Sequence, residues 1–262
     1  MSTSFNLGVW CNGSTTDSGS VSEDSNSSTP TNNFKHMEIF NKVKEVCGNN
    51  LPDLAAGFGY PEDTIALLSL DDEVEFKKKY WKTYTTLLSC QQEKDTRSPF
   101  EYGKDIASMW LLEDIAIAQL KKHGVNAQRY GADKDRKILN TKDISAKSDF
   151  LVVDDDREMK VEFVIDFTRF WGKTNKIDFR NNKYDKIIDN DSVLFGISLD
   201  TGNKDYKKYL LFENLAKYDH TYFNEHPVWK KPANRVSFPN RELRDLDWNE
   251  VASRIKKIIE ER

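Results

Sequence analysis

The sequence predicts an α/β fold behind a helical extension, and three observations predict it. From Ser148 to Thr168 two β-type runs, SDFLVV and KVEFVIDFT, flank the short acidic turn Asp154–Glu158. Within the second run Lys160, Glu162, Val164, Asp166 and Thr168 share one face, while Val161, Phe163, Ile165 and Phe167 share the other. Upstream, Tyr102–His123 repeats apolar residues at helical spacing: Ile106, Met109, Trp110, Ile117 and Leu120. Downstream, a helix over Arg180–Ile188 precedes the buried strand Val193–Leu199, so strands and helices alternate.

The chain divides into three stretches. Residues 1–36 are rich in Ser, Thr, Asn and Gly and hold too few aliphatics to bury a core, which predicts a disordered tail. Gly8–Thr31 also resembles the conceptual translation of a transfer-RNA gene, with CNGST encodable by a D-arm string and DSN by a T-loop string. On that reading Met37 is the true initiator, and the neighbouring gene hints at a phage or mobile element. An ordinary tail is the alternative.

Residues 37–98 read as a helical region. Ile39, Phe40, Val43 and Val46 make one amphipathic helix. Asn50–Pro61 reads as a turn-rich loop, a short Thr64–Leu70 segment follows, and Asp71-Asp72-Glu73 starts a helix running through Phe76, Tyr80 and Tyr84 to Leu88. Gln91–Pro99 is a polar break.

Residues 99–262 form the core. Gly124 closes the Tyr102–His123 helix, Asn126–Tyr130 reads as the first strand, and the hairpin supplies the next two. Tyr209–Phe212 reads as another strand. Residues 213–240 are aromatic and contain proline without clear periodicity, and a last helix near Asp247–Glu261 buries Val251, Ile255, Ile258 and Ile259.

The hairpin carries the chemistry. Its pairing is expected to bring Asp149 across from Glu162 and Asp166. Carboxylates gathered on one sheet face repel each other unless a divalent cation joins them, and hard oxygen ligands suit Mg²⁺ or Mn²⁺. Glu113, alone amid helical apolar residues, needs a partner, either a metal or a nearby lysine.

An acid on one strand followed by acids on the next, behind a helix bearing a glutamate, resembles the PD-(D/E)XK nuclease superfamily over roughly residues 100–212. The resemblance implies a restriction-endonuclease-like core, with a central mixed β-sheet flanked by helices. It also implies a Mg²⁺- or Mn²⁺-dependent nuclease that cuts DNA phosphodiesters. Asp149 and Asp166 would hold the metal, Glu162 would assist as a further ligand, and Glu113 would join the catalytic set. Asp166 is preferred as second acid because IDFT ends its strand before a polar turn. The family's lysine is missing from either register, since Thr168 follows Asp166 by two and Val164 follows Glu162 by two. Lys183, in the helix after the hairpin, is the expected substitute, with Lys173 and Arg169 weaker ones. A catalytically inactive module of the same fold, binding nucleic acid or protein, is the alternative, and a structural domain with merely superficial acids is a third reading.

The net charge of -4 excludes broad basic adhesion to DNA, so contacts must come from local clusters. Lys173, Lys176, Arg180 and Lys186, near Lys183, form the expected nucleic-acid-binding group. Lys230, Lys231, Arg235, Arg241 and Arg244 form a second basic group. DNA is the expected partner, a homodimer is allowed, and no apolar run is long enough for a membrane. The three cysteines, Cys11, Cys47 and Cys90, are sparse and odd in number, which suits the reducing cytoplasm of a bacterial or phage-infected cell. His36, His123, His220 and His226 lack zinc-ligand spacing, and neither a phosphate-cradling glycine loop nor a nucleophile elbow is present.

Overall fold

The hairpin predicted from two-residue alternation forms, and a five-stranded sheet is built around it. In the computed structural model, residues 38–91, 95–140, 148–168, 170–200, 205–211, 215–227, 230–239 and 246–262 are described. They belong to one compact unit, residues 36–262. The tail and its expected start at Met37 lie outside the described residues, as do Arg169, Arg241 and Arg244.

Strand β2 (Phe150–Asp154) turns through Asp155 and Asp156 into β3 (Arg157–Asp166), with Asp154 paired to Arg157. Asp155 takes the left-handed conformation (φ 50°) that such a two-residue turn requires and that aspartate tolerates. The sheet order is β1-β2-β3-β5-β6, with β1 at Ala127–Arg129, β5 at Val193–Asp200 and β6 at Asp205–Leu211. Only β3 and β5 run parallel, and the other neighbours are antiparallel, so the sheet is mixed.

The faces of this sheet are covered differently. On one, Phe163 meets Phe150 and Phe195 with ring centroids 6.4 and 5.7 Å apart, and Phe195 meets Trp248 edge-on at 6.1 Å. Trp248 opens α9 (Trp248–Glu260), which is capped reciprocally by Asp247 and Glu250 and buries Val251, Ile255, Ile258 and Ile259 as its period predicts. Against the other face, Leu194 and Val164 pack with Trp171, Ile177, Phe179, Tyr184, Ile187 and Val236. Gly196 is required there, because a Cβ would lie 2.5 Å from the Trp171 ring.

That second cluster contains elements that the periodicity did not reveal. The polar turn expected after IDFT is instead the short helix α7 (Phe170–Thr174) and strand β4 (Lys176–Arg180), whose last residue, Arg180, was expected to start the next helix. Strands β7 (His220–Phe223) and β8 (Ala233–Ser237) join β4 in a three-stranded antiparallel sheet, in the order β4-β8-β7. Helix α8 (Asn181–Asp189) follows β4 directly and buries Tyr184 and Ile187.

The helical extension is finer-grained than its sequence suggests. The expected loop at Asn50–Pro61 contains α2 (Leu51–Gly57), and the single helix expected to run to Leu88 breaks at Tyr80 into α4 (Glu73–Lys79) and α5 (Trp81–Cys90). Helix α1 (Glu38–Cys47) matches its expected helix, and the Thr64–Leu70 segment, given no type from sequence, lies largely in α3 (Glu62–Ser69). The long α6 (Pro99–Lys122), started by the Ser98–Glu101 capping box, packs on α1, α3 and α5 and on β1, tying the extension to the core. None of the described helices is long and apolar enough to cross a membrane.

Candidate active site

The pairing of β2 with β3 ends at Phe150–Val161, and this decides which acids meet. Just beyond it, the Asp149 carboxylate accepts the Phe163 amide at 2.7 Å, which sets Asp149 beside Glu162. Past that point β3 leaves β2 and pairs only with β5, where Asp166 stands opposite Ser198. Asp166 is four residues beyond Glu162, roughly 13 Å along an extended strand. Of the two acids expected across from Asp149, the structure therefore sets Glu162 beside it and Asp166 away from it.

The surroundings of Asp166 explain its place. It accepts the Thr168 amide and hydroxyl, both at 2.8 Å, the Trp171 amide at 3.1 Å and the Ser198 hydroxyl at 3.0 Å. Four neutral donors organise the turn from β3 into α7 around a buried carboxylate. Thr168, the expected lysine position, is one of those donors.

Glu162 is met differently. It is fully buried, and its Oε1 receives the Lys183 amine and, at 3.2 Å, the Lys186 amine. Its Oε2 is buried without a hydrogen-bond partner. Lys183 also lies 3.7 Å from Asp149. These lysines stand three residues apart on α8, one turn of helix, and so point to the same carboxylate. Burial and the nearby Asp149 charge raise the Glu162 pKa, although both lysines oppose the shift. Burial works against the charge on Lys183, but Asp149 and Glu162 outweigh it and hold the amine above the ordinary lysine value. Lys183 is thus an ammonium at neutral pH.

Glu113, on α6, has an arginine as its salt-bridge partner where a lysine was one of the two expected partners. Arg136, fully buried, reaches Glu113 at 2.6 Å and Asp114 at 2.8 Å, while Arg129 reaches Asp114 at 2.7 Å. Burial raises the Glu113 pKa to about 8, with Arg136 opposing and Asp149 adding to the rise. The Asp149 charge thus acts on both Glu162 and Glu113, so the three acids share one electrostatic neighbourhood.

No family model and no curated protein matches the chain. Among solved structures it is similar to Hjc, a Holliday junction resolvase from Archaeoglobus fulgidus, an archaeal hyperthermophile. The identity is 11% and the TM-score 0.30, over 53% of this chain and 98% of that one. A likeness that slight carries no argument, and the chemistry rests on the side chains themselves.

Two cavities adjoin the cluster. A groove of about 850 Å³ is lined by Val164, Asp166, Arg180, Lys183, Lys186 and Arg235, among others, and a pocket of about 280 Å³ by Asp149, Trp110 and Lys186 among others. Met109 and Lys186 line both. Of the expected nucleic-acid contacts, Arg180 and Lys186 face the groove, whereas Lys173 and Lys176 are not among its walls. One polar group there escaped the sequence reading: Asp178 accepts from Arg235 at 2.6 Å and bonds His226 at 2.9 Å. These partners lie 57 and 48 residues from Asp178, so no local spacing announces them.

A resident cation can be tested against this donor set. Among the described residues, no three carboxylates, imidazoles or thiolates gather closely enough to hold a metal alone. Mg²⁺ does not need three, because it is held by one or two carboxylates with waters and substrate phosphate completing the shell. Asp149 and Glu162 are hard oxygen donors, and the unpartnered Oε2 of Glu162 is the kind of buried polar atom that a ligand satisfies. The residues fit such an ion.

Proposed function

We propose that this protein is a metal-dependent nuclease that hydrolyses DNA phosphodiester bonds, with its centre at Asp149, Glu162 and Lys183. The observation that carries the reading is the meeting of two carboxylates, one with a buried unpartnered oxygen, with two lysines beside a groove. Asp149 and Glu162 would hold Mg²⁺ or Mn²⁺. When bound, such an ion lowers the pKa of water and stabilises charge on the phosphate undergoing attack.

The other groups have separable tasks. Lys183 keeps its proton, so it acts as a fixed positive charge that orients the scissile phosphate or the attacking water, not as a base. Lys186 and Arg180 neutralise neighbouring phosphates along the groove, a contact whose strength falls with salt. Asp166 holds the turn that positions α7 and touches no reacting atom.

The test is incubation of the purified protein with plasmid DNA and Mg²⁺ or Mn²⁺. Cleavage is expected in the wild type and absent in Asp149→Asn and in Glu162→Gln. Cutting that survives both changes would place the chemistry elsewhere.

One observation favours a second reading, a catalytically inactive binding module on the same scaffold. Lys183 and Lys186 already compensate the Glu162 charge, so the cluster is neutralised without a cation. Calorimetric titration with Mn²⁺ separates the two: the nuclease binds the ion through Asp149 and Glu162, and the inactive module does not.

A further inference from the structure

We infer that the 280 Å³ pocket beside Asp149 is a binding site for a single unstacked nucleobase, belonging to the strand whose phosphate meets Lys186. The inference rests on the nuclease reading for the placement of that phosphate. It adds a substrate form: a strand with at least one base out of the helical stack at the point of cutting.

Three features carry it. The first is position. Asp149 and Lys186 line this pocket, and Met109 and Lys186 also line the groove, so the two cavities meet at the candidate centre. A phosphate held by Lys186 leaves its nucleoside next to the pocket's walls.

Size is the second. About 280 Å³ lies just below the range of drug-sized ligand pockets, about 300 to 1,000 Å³. It suits one nucleoside and excludes a base pair or a duplex segment. The groove of about 850 Å³ is the place for the backbone on either side.

The third feature is lining chemistry. Trp110, Tyr102 and Ile106 present aromatic and aliphatic surface from one side of α6. The Trp110 ring is held by its indole N–H, which donates to Asp133 at 2.6 Å, and Arg97 lies 4.9 Å from the centre of the Tyr102 ring. Rings fixed in advance make a stacking platform at little ordering cost. Around them stand Asp133 and the exposed Lys137, an acceptor and a donor for the polar edge of a base. A base offers a π-face to the rings and, at its edge, hydrogen-bonding atoms for these two groups, which an aliphatic ligand lacks.

The test avoids cleavage. In EDTA, the full chain is titrated by calorimetry or NMR with deoxyadenosine 5′-monophosphate, 2-deoxyribose 5-phosphate and inorganic phosphate. Stacking predicts that the nucleotide binds about tenfold more tightly than the sugar phosphate. Ala132→Phe fills the pocket from a turn residue in its wall and should erase that preference, leaving inorganic phosphate binding and melting temperature unchanged. Should that variant not fold, Trp110→Leu decides, with an expected loss of about tenfold for the nucleotide alone. Equal affinity for nucleotide and sugar phosphate overturns the inference, as does a preference that persists in a folded, pocket-filled variant. The two readings fail separately. A protein that prefers the nucleotide but never cuts DNA loses the nuclease reading, and one that cuts without the preference loses the base pocket.

Discussion

Strand β3 carries two buried acids on one face, Glu162 and Asp166, and their neighbourhoods are opposites. Glu162 is met by two ammonium groups and a second carboxylate, with one oxygen unpartnered. Asp166 is met by backbone amides and hydroxyls. Neutral donors arranged round a carboxylate make a structural cap, satisfied as it stands. The Glu162 cluster balances its charges with lysines yet leaves one buried carboxylate oxygen without a hydrogen-bond partner, so it is not satisfied in the same way. Strand periodicity places an acid on a face, but only its partners say what it does.

The most severe way to break this comparison is to neutralise each acid in turn. Glu162→Gln should lower DNA cleavage by about 10³-fold or more, the scale of losing a main electrostatic stabiliser, while Asp166→Asn should stay within about tenfold of wild type. Equal losses would mean that both acids serve the reaction. Stability should sort the other way. Asp166→Ala deprives several buried donors of their acceptor and should cost roughly 2–3 kcal/mol. Glu162→Gln removes a charge that burial and Asp149 already disfavour, so its melting temperature should fall less.

Relocating the lysine sharpens the same contrast. Lys183→Ala should cut activity by about 10²-fold, as expected for losing one fixed charge at the reacting phosphate, with the fold unchanged. Val164 lies two residues from Glu162 and lines the groove, so Val164→Lys should restore part of the loss. Thr168→Lys, beside Asp166, should restore none. Rescue from Thr168 and not from Val164 would return the second-acid role to Asp166.

Much of this was legible beforehand. The hairpin, α6, α8 and α9 each have enough residues to show a period, and β5 enough to show a buried apolar run. The small sheet was not legible: β4, β7 and β8 are five, four and five residues long, and β4 pairs with β8 across more than 50 residues of chain. Pro52, Gly57 and Gly59 gave the segment holding α2 the look of a loop. In the site, Asp149, Glu162 and Lys183 were all named from sequence. Seeing that Glu162 rather than Asp166 stands beside Asp149 needed the register, and above all the point where β2 ends and β3 runs on beside β5 alone. The Arg136 partner of Glu113 lies 23 residues further along, beyond any helical spacing.

The smallest expected effect concerns pH, and it tests which end of β3 the third acid belongs to. Glu113 has a folded pKa of about 8, above the 4.5 of a free glutamate. Between those values the folded protein keeps a proton that the unfolded chain has released. The resulting stabilisation is complete below about pH 4.5 and is lost as pH rises through about 8. Melting temperature should therefore fall from pH 5.5 to pH 8.5, by an amount worth at most a few kcal/mol. Glu113→Gln should flatten much of that slope. The variant should still fold, because Arg136 keeps Asp114 at 2.8 Å. Asp149 contributes to the rise, so Asp149→Asn should move the fall to lower pH, whereas Asp166→Asn should leave it in place. A slope that ignores both Glu113→Gln and Asp149→Asn would detach Glu113 from the Asp149–Glu162 cluster and leave it as a partner of Arg136 alone.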